Sequence, residues 1–138
     1  MITSRSLDDL NKRVAQLAQQ FVSACAHENI DIIITSTYRD KEAQDALFAK
    51  GRTKPGKIIT NARGGESFHN HHVAFDFVPV RAGKACWDDV ALFKHCGELA
   101  ESVGLEWSGR WSGKFKELAH CQFTNGLTID DFKKGKTL

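Results

Sequence analysis

Ser67-Phe-His-Asn-His-His-Val-Ala-Phe-Asp-Phe-Val-Pro-Val80 carries a histidine-rich turn straight into a hydrophobic segment. From Val73 the residues alternate as in a β-strand, with Val73, Phe75 and Phe77 on one face and Ala74, Asp76 and Val78 on the other. Asp76 therefore falls on an otherwise apolar face, where a lone carboxylate is costly to bury unless it is paired or binds a cation. His69 stands seven positions earlier. Residues seven apart on one straight strand point to opposite faces, so His69 and Asp76 can share an ion only if Asn70 to His72 bend the chain. His69, His71 and His72 all offer imidazoles, and spacing alone leaves open which of them coordinates; histidine-rich turns also occur without metal.

A further donor lies downstream in Glu117-Leu-Ala-His120, which can supply a third ligand and a general base. Catalytic zinc takes three protein ligands from His, Asp, Glu and Cys and keeps its fourth position for the water that attacks the substrate. Cys121, beside His120, is a possible ligand, but a small buried residue on a strand is its plainer reading.

Around this stretch the chain alternates helices and strands. Leu7, Leu10, Val14, Leu17 and Phe21 recur at helical spacing, and Ser6 with Asp9 resembles a capping box, which predicts an amphipathic helix from residue 6 to about 27. Asp31-Ile-Ile-Ile-Thr-Ser-Thr37 is short and rich in β-branched residues, as a buried strand is, and delivers Tyr38 and Arg39 at its end. Asp40 can cap a second helix through Ala43, Ala46 and Leu47, with Gly51 as a left-handed C-cap. Residues 51 to 66, with Pro55-Gly56 and Gly64-Gly65, read as a long exposed loop. Asp88 or Asp89 can cap a third helix that runs through Val103 and closes at Gly104. Leu105 to Trp107 and Ala119 to Phe123 are short strands, and the tail from Thr128, ending in Lys133, Lys134 and Lys136, reads as a solvated surface element.

At 138 residues the chain fits one domain, 1–138, able to bury a core without staples. Hydrophobic residues at 41% and charged residues at 26% exclude a disordered or fibrous chain, and a net charge of +2 does not point to nucleic acid. Met1 to Arg5 run into a polar amphipathic segment with no apolar leader, so neither a secretory signal nor membrane insertion is expected. The four cysteines contain no C-x-x-C pair and are expected as reduced thiols.

Ser67-x-His69-x5-Ala74-x-Asp76 followed by Glu117-x-x-His120 resembles the zinc peptidases of the D-Ala-D-Ala carboxypeptidase and L-alanyl-D-glutamate endopeptidase family, whose signature is S-x-H-x-x-G-x-A-x-D and then E-x-x-H. The likeness extends to Ser36-Thr-Tyr-Arg39, the Gln44 to Arg52 region, Thr60 to Gly65 and Trp107, and looks strongest toward small phage endolysins. It implies an α+β fold, a small antiparallel sheet with flanking helices like that of Hedgehog and the D-Ala-D-Ala peptidases. It also implies Zn2+ on His69, Asp76 and His120, with Glu117 as general base and acid. Arg39 matches an arginine near the substrate carboxylate or the developing oxyanion, for which a permanently charged planar fork is suited. Ser67 matches the motif serine and is expected to bond to substrate or behind a ligand; its bland alternative is a plain turn residue.

Two positions depart from the pattern. His72 stands where the motif has glycine, so either the turn needs no positive φ or His72 adopts one under strain. Ala119 stands where relatives often have proline, which implies a less rigid approach to His120. The resemblance implies hydrolysis of peptidoglycan stem peptides, most closely the L-Ala–D-Glu bond, by a monomer. The enzyme would be made in a host cytoplasm and reach the wall with a holin-type membrane-permeabilising partner, helped in substrate recognition by the basic loop around Arg52, Lys54 and Lys57. The alternatives are a D-Ala-D-Ala carboxypeptidase, a non-catalytic binding domain on the same zinc fold, and a His-Asn-His nuclease. The nuclease would want a wider basic surface, and Glu117 argues against the non-catalytic domain.

Overall fold

The computed structural model describes residues 1–138, with the side chain of Lys114 outside the description. In chain order the regular elements are α1 (Lys12–Ala26), β1 (Asp31–Ser36), α2 (Lys41–Ala49), β2 (Ala74–Arg81), β3 (Lys84–Ala85), α3 (Val90–Ser102), β4 (Glu106–Trp107), β5 (His120–Gln122) and α4 (Ile129–Lys133). The strands form one antiparallel sheet in the order β1-β2-β5-β4, with β3 paired to the far end of β2. This is the α+β arrangement that the resemblance implied.

β2 is covered on both sides, and its alternation sends the two faces to different tasks. Phe75 and Phe77 meet Phe21 of α1 at ring centroid distances of 6.0 and 4.9 Å, and Phe77 meets Phe93 of α3 at 5.5 Å. Val14, Leu17, Cys25, Cys96, Ala100, Trp107 and Cys121 complete this core. On the opposite face, register places Ser36 and His120 either side of Asp76, and places Gln122 beside Ala74 with Glu106 beyond it. A register shift between Ile34 and Ser36 lets β1 bring Ser36 level with Asp76.

Several boundaries differ from expectation. Ser6 caps only a 3-10 turn, Leu7–Asp9, and α1 begins at Lys12, where the Asn11 side chain accepts from the amides of Arg13 and Val14. α2 ends at Ala49 with an extended C-cap at Lys50 rather than a left-handed one at Gly51, whose positive φ belongs to the following turn. Of the two expected caps for α3, Asp89 is the one used, its side chain accepting from the Leu92 amide. The tail is not merely a solvated element: Thr128 and Asp131 form a capping box for α4, and Phe132 is buried against Phe68 and His71. Loop 51–66 has no strand or helix and leaves Ile58 and Ile59 exposed, but Arg52 donates to the carbonyls of Phe48 in α2 and Thr60 in the loop. Arg52 thus holds the loop's own shape. All four cysteines are free thiols, and Cys121 lies in the core with the plainer role. Among the described residues no helix is long and apolar enough to cross a membrane.

Trp107 links the core to the loop that carries Glu117. Its ring lies between Gly97 of α3 and Gly109, where a methyl group on either glycine would overlap it, and its Nε1 donates to the Leu118 carbonyl at 2.8 Å. Overpacking of this kind costs about 1–3 kcal/mol. Gly97→Ala should therefore lower unfolding stability by about 2 kcal/mol in denaturant titration; an unchanged midpoint would show that the tryptophan has room to move.

Candidate metal centre

The bend between His69 and Asp76 is built from two pieces. Residues Phe68–His71 form a 3-10 turn, capped by Ser67, whose hydroxyl accepts from the His69 amide, and by Asn70, whose Oδ1 accepts from the amides of Ser67 and Gly65. His72 then takes a left-handed conformation at φ 63°, ψ 24°, so the positive φ that the motif glycine would supply is present. For a residue with a Cβ that conformation costs about 1–2 kcal/mol. Its ring stacks on Tyr38 at 3.8 Å and its Nδ1 donates to the Asp9 carbonyl at 2.6 Å, contacts that offset the strain.

The turn is docked on the exit of β1. Arg39 N donates to the His69 carbonyl and the Asn70 amide donates back to the Arg39 carbonyl. His71 bonds through Nε2 to the Gly65 carbonyl and stacks on Phe132, while His72 faces the N-terminal turn. Of the three clustered histidines, only His69 points at Asp76.

His69, Asp76 and His120 converge so that one donor atom from each lies within 4.8 Å of the others. His69 Nε2 and His120 Nδ1 each stand 3.2 Å from Asp76 Oδ1. A tetrahedral ion with bonds of about 2.0–2.1 Å needs ligand–ligand edges of about 3.3 Å. The outward nitrogens have acceptors of their own: His69 Nδ1 donates to the Thr37 carbonyl at 2.8 Å, and His120 Nε2 donates to Gln122 Oε1 at 2.8 Å. Each ring therefore turns its remaining nitrogen inward as a lone-pair donor. Borderline nitrogen and oxygen donors at this spacing fit Zn2+.

Glu117 lies 4.0 Å from His120 Nδ1 with its side chain 64% exposed, at the solvent side of the donor set. Its loop is tied down by hydrogen bonds on both sides of Ala119, the position where relatives often have proline. Ser108 Oγ donates to the Glu117 and His120 carbonyls, Trp107 holds Leu118, and Phe77 N donates to the Ala119 carbonyl at 2.9 Å. Arg39 is half-buried with its fork on Gln44 Oε1 at 2.7 Å and Ser36 Oγ at 3.2 Å. Burial lowers its pKa, and attraction to Asp76 and Glu117 works against that shift. Its Nε is buried without a hydrogen-bond partner among the described residues. Ser67, by contrast, bonds behind His69 as the turn's cap. Ser36 and Thr37 fell within the likeness segment Ser36 to Arg39 without a role of their own, Gln122 carried a signal as the next same-face residue after His120 on a strand, and Ser108 carried none.

The D-alanyl-D-alanine carboxypeptidase family VanY matches residues 7–121. The chain belongs to this family. It is 38% identical over 123 residues to the peptidoglycan L-alanyl-D-glutamate endopeptidase CwlK of Bacillus subtilis (strain 168), covering 83% of this chain and 73% of CwlK. It is 30% identical over 138 residues to the L-alanyl-D-glutamate peptidase of Listeria phage A118, covering 96% of this chain but 46% of the phage protein. The fold also matches a VanY D,D-pentapeptidase from a VanB-type resistance cassette, solved in complex with Zn(II), with a TM-score of 0.62 at 16% identity over 90% of this chain and 83% of that one.

Without metal, the centre is a charged cluster. Burial pushes Asp76 upward, but the charge of His69 and hydrogen bonds from both histidines outweigh it and hold the carboxyl far below the usual carboxylate range. Burial lowers His120, while its hydrogen bond to and attraction by Asp76 raise it further, to a net value above the ordinary 6.5. A raised folded-state pKa stabilises fully below the unfolded value and is lost as pH climbs through the folded value; the Asp76 contribution stays constant above ordinary carboxylate pKa values. Tm of the metal-free protein should therefore fall as pH rises above the ordinary imidazole value of 6.5, and a rising profile would contradict the pairing.

Proposed function

We propose that this chain is a zinc-dependent peptidoglycan hydrolase that cleaves the L-Ala–D-Glu bond of stem peptides, with residues 1–138 acting as one catalytic domain. The observation that carries the reading is the convergence of His69, Asp76 and His120, each with an inward donor atom, beside Glu117. Likeness to CwlK and to the phage peptidase favours the endopeptidase over the D-Ala-D-Ala carboxypeptidase for which the family is named.

His69 Nε2, Asp76 Oδ1 and His120 Nδ1 would hold the zinc, which supplies Lewis acidity to a water and to the scissile carbonyl. Glu117, on the open side, takes the proton of the attacking water and returns it to the departing amine. Arg39, kept charged beside Asp76 and Glu117, offers its fork to the carbonyl oxygen as charge develops or to a substrate carboxylate. Ser67 acts behind His69 by holding the turn.

Likeness to a phage peptidase supports a phage lysis system, in which a holin-type partner would permeabilise the membrane; we propose that the enzyme works there as a monomer. No nucleic acid partner is proposed.

Mass spectrometry of digested muropeptides should find new D-Glu amino termini; release of D-Ala alone would make the chain a carboxypeptidase. Chelation should abolish clearing of sacculi and zinc should restore it. Glu117→Ala should retain zinc and lose about 10²-fold or more in rate, so undiminished turnover would remove Glu117 from proton transfer.

A further inference from the structure

The two histidines of the centre are oriented by acceptors of different kinds. His69 Nδ1 meets a backbone carbonyl, that of Thr37, which can only accept. His120 Nε2 meets the side-chain amide of Gln122, which has a donor end and an acceptor end of nearly the same shape. Rotated by half a turn, that amide would present its NH2 group to His120 Nε2. The ring would then accept at Nε2 and carry its proton on Nδ1, the atom that faces Asp76. An imidazole in that tautomer has no lone pair to offer a metal at Nδ1.

The structure holds a device against this rotation. Gln122 is buried on β5, and its Nε2 donates to Oε1 of Glu106 on the neighbouring strand β4 at 3.3 Å. Glu106 is itself fixed from the other side: Thr124 N donates to its Oε2 at 2.9 Å and Thr124 Oγ1 bonds to the same oxygen at 3.1 Å. A carboxylate only accepts, so the amide end of Gln122 must face Glu106 and its oxygen must face His120. A rotated amide would set an oxygen against the carboxylate at the same distance, two acceptors without a proton between them.

We propose that Glu106 and Gln122 are positioning residues that hold His120 in the tautomer with Nδ1 free for the metal. Neither touches the donor set's inner atoms; Glu106 acts through Gln122, and Gln122 through His120. The reach is short because strand pairing places Glu106, Gln122 and Ala74 in one row and His120 and Asp76 in the next. The inference rests on the zinc reading above and adds to it the reason that His120 binds through Nδ1.

The test is zinc affinity of the whole chain, measured by competition with a chromogenic chelator, alongside Tm of the metal-free proteins. Glu106→Gln replaces the acceptor-only group with an amide that satisfies either orientation of Gln122, and Gln122→Met removes the acceptor altogether. Each should weaken zinc binding about 10–100-fold. The double exchange Glu106→Gln with Gln122→Glu puts the acceptor-only carboxylate against His120 and the donor on β4, and should return affinity to within about threefold of wild type. Loss in the single variants without recovery in the exchange would reduce the pair to packing and overturn the relay, as would unchanged affinity in Glu106→Gln. Should Glu106→Gln fail to fold without metal, the exchange and Gln122→Met decide by the same criteria. Wild-type protein that takes up no zinc overturns the zinc reading and the relay with it, whereas tight wild-type binding with indifferent variants overturns the relay alone.

Discussion

A carboxylate on the central strand must be balanced, and the structure is organised around doing so. Asp76 sits on β2 between Ser36 of β1 and His120 of β5, with His69 brought over it by the preceding turn. Leaving such a group unpaired out of water costs about several kcal/mol. Pairing it fixes three separate segments against one another: the turn 67–72, the exit of β1 and the start of β5. The same arrangement that makes the charge tolerable points two imidazole nitrogens and a carboxylate oxygen at a common centre, where a metal ion would take the place of the protons between them.

Division of the sheet into two faces makes this possible. Phe75, Phe77, Cys121 and Trp107 pack under α1 and α3, so the rows Ser36–Asp76–His120 and Ala74–Gln122–Glu106 are left for polar work on the other side. Trp107 belongs to the core by its ring and to the site by its indole N–H, which holds Leu118 between Glu117 and His120. Ser108, fully buried, fastens the same segment by its ends. Glu117 can therefore be exposed to solvent while its backbone is rigid, a combination suited to a group that exchanges protons beside a fixed centre.

Much of this was legible before the structure. The alternation around Asp76 and the E-x-x-H segment singled out Asp76, Glu117 and His120, while spacing left His69, His71 and His72 open and only the family resemblance chose His69; periodicity and residue type together separated strands from helices. What escaped has a physical cause in each case. Ser6 and Asn11 are both good caps, and only packing of Leu10 and Val14 decides that the helix starts at the second. α4 is short, and its one buried residue, Phe132, finds partners about sixty residues away, at Phe68 and His71. The acceptor that orients His69 is a backbone oxygen, which no residue type announces. By spacing His71 and His72 looked equivalent to His69; the 3-10 turn places His71 against the Gly65 carbonyl, and His72, in its left-handed conformation, bonds to Asp9.

On the proposed reading, this sequence folds to hold one zinc ion by two imidazole nitrogens and a carboxylate oxygen. Zinc K-edge X-ray absorption on the metal-loaded protein reads that donor set without reference to catalysis. Scattering from two imidazole rings and light oxygen donors at about 2.0–2.1 Å is the predicted result. A sulphur shell at about 2.3 Å, which would draw Cys121 out of the core, or a single imidazole would contradict it.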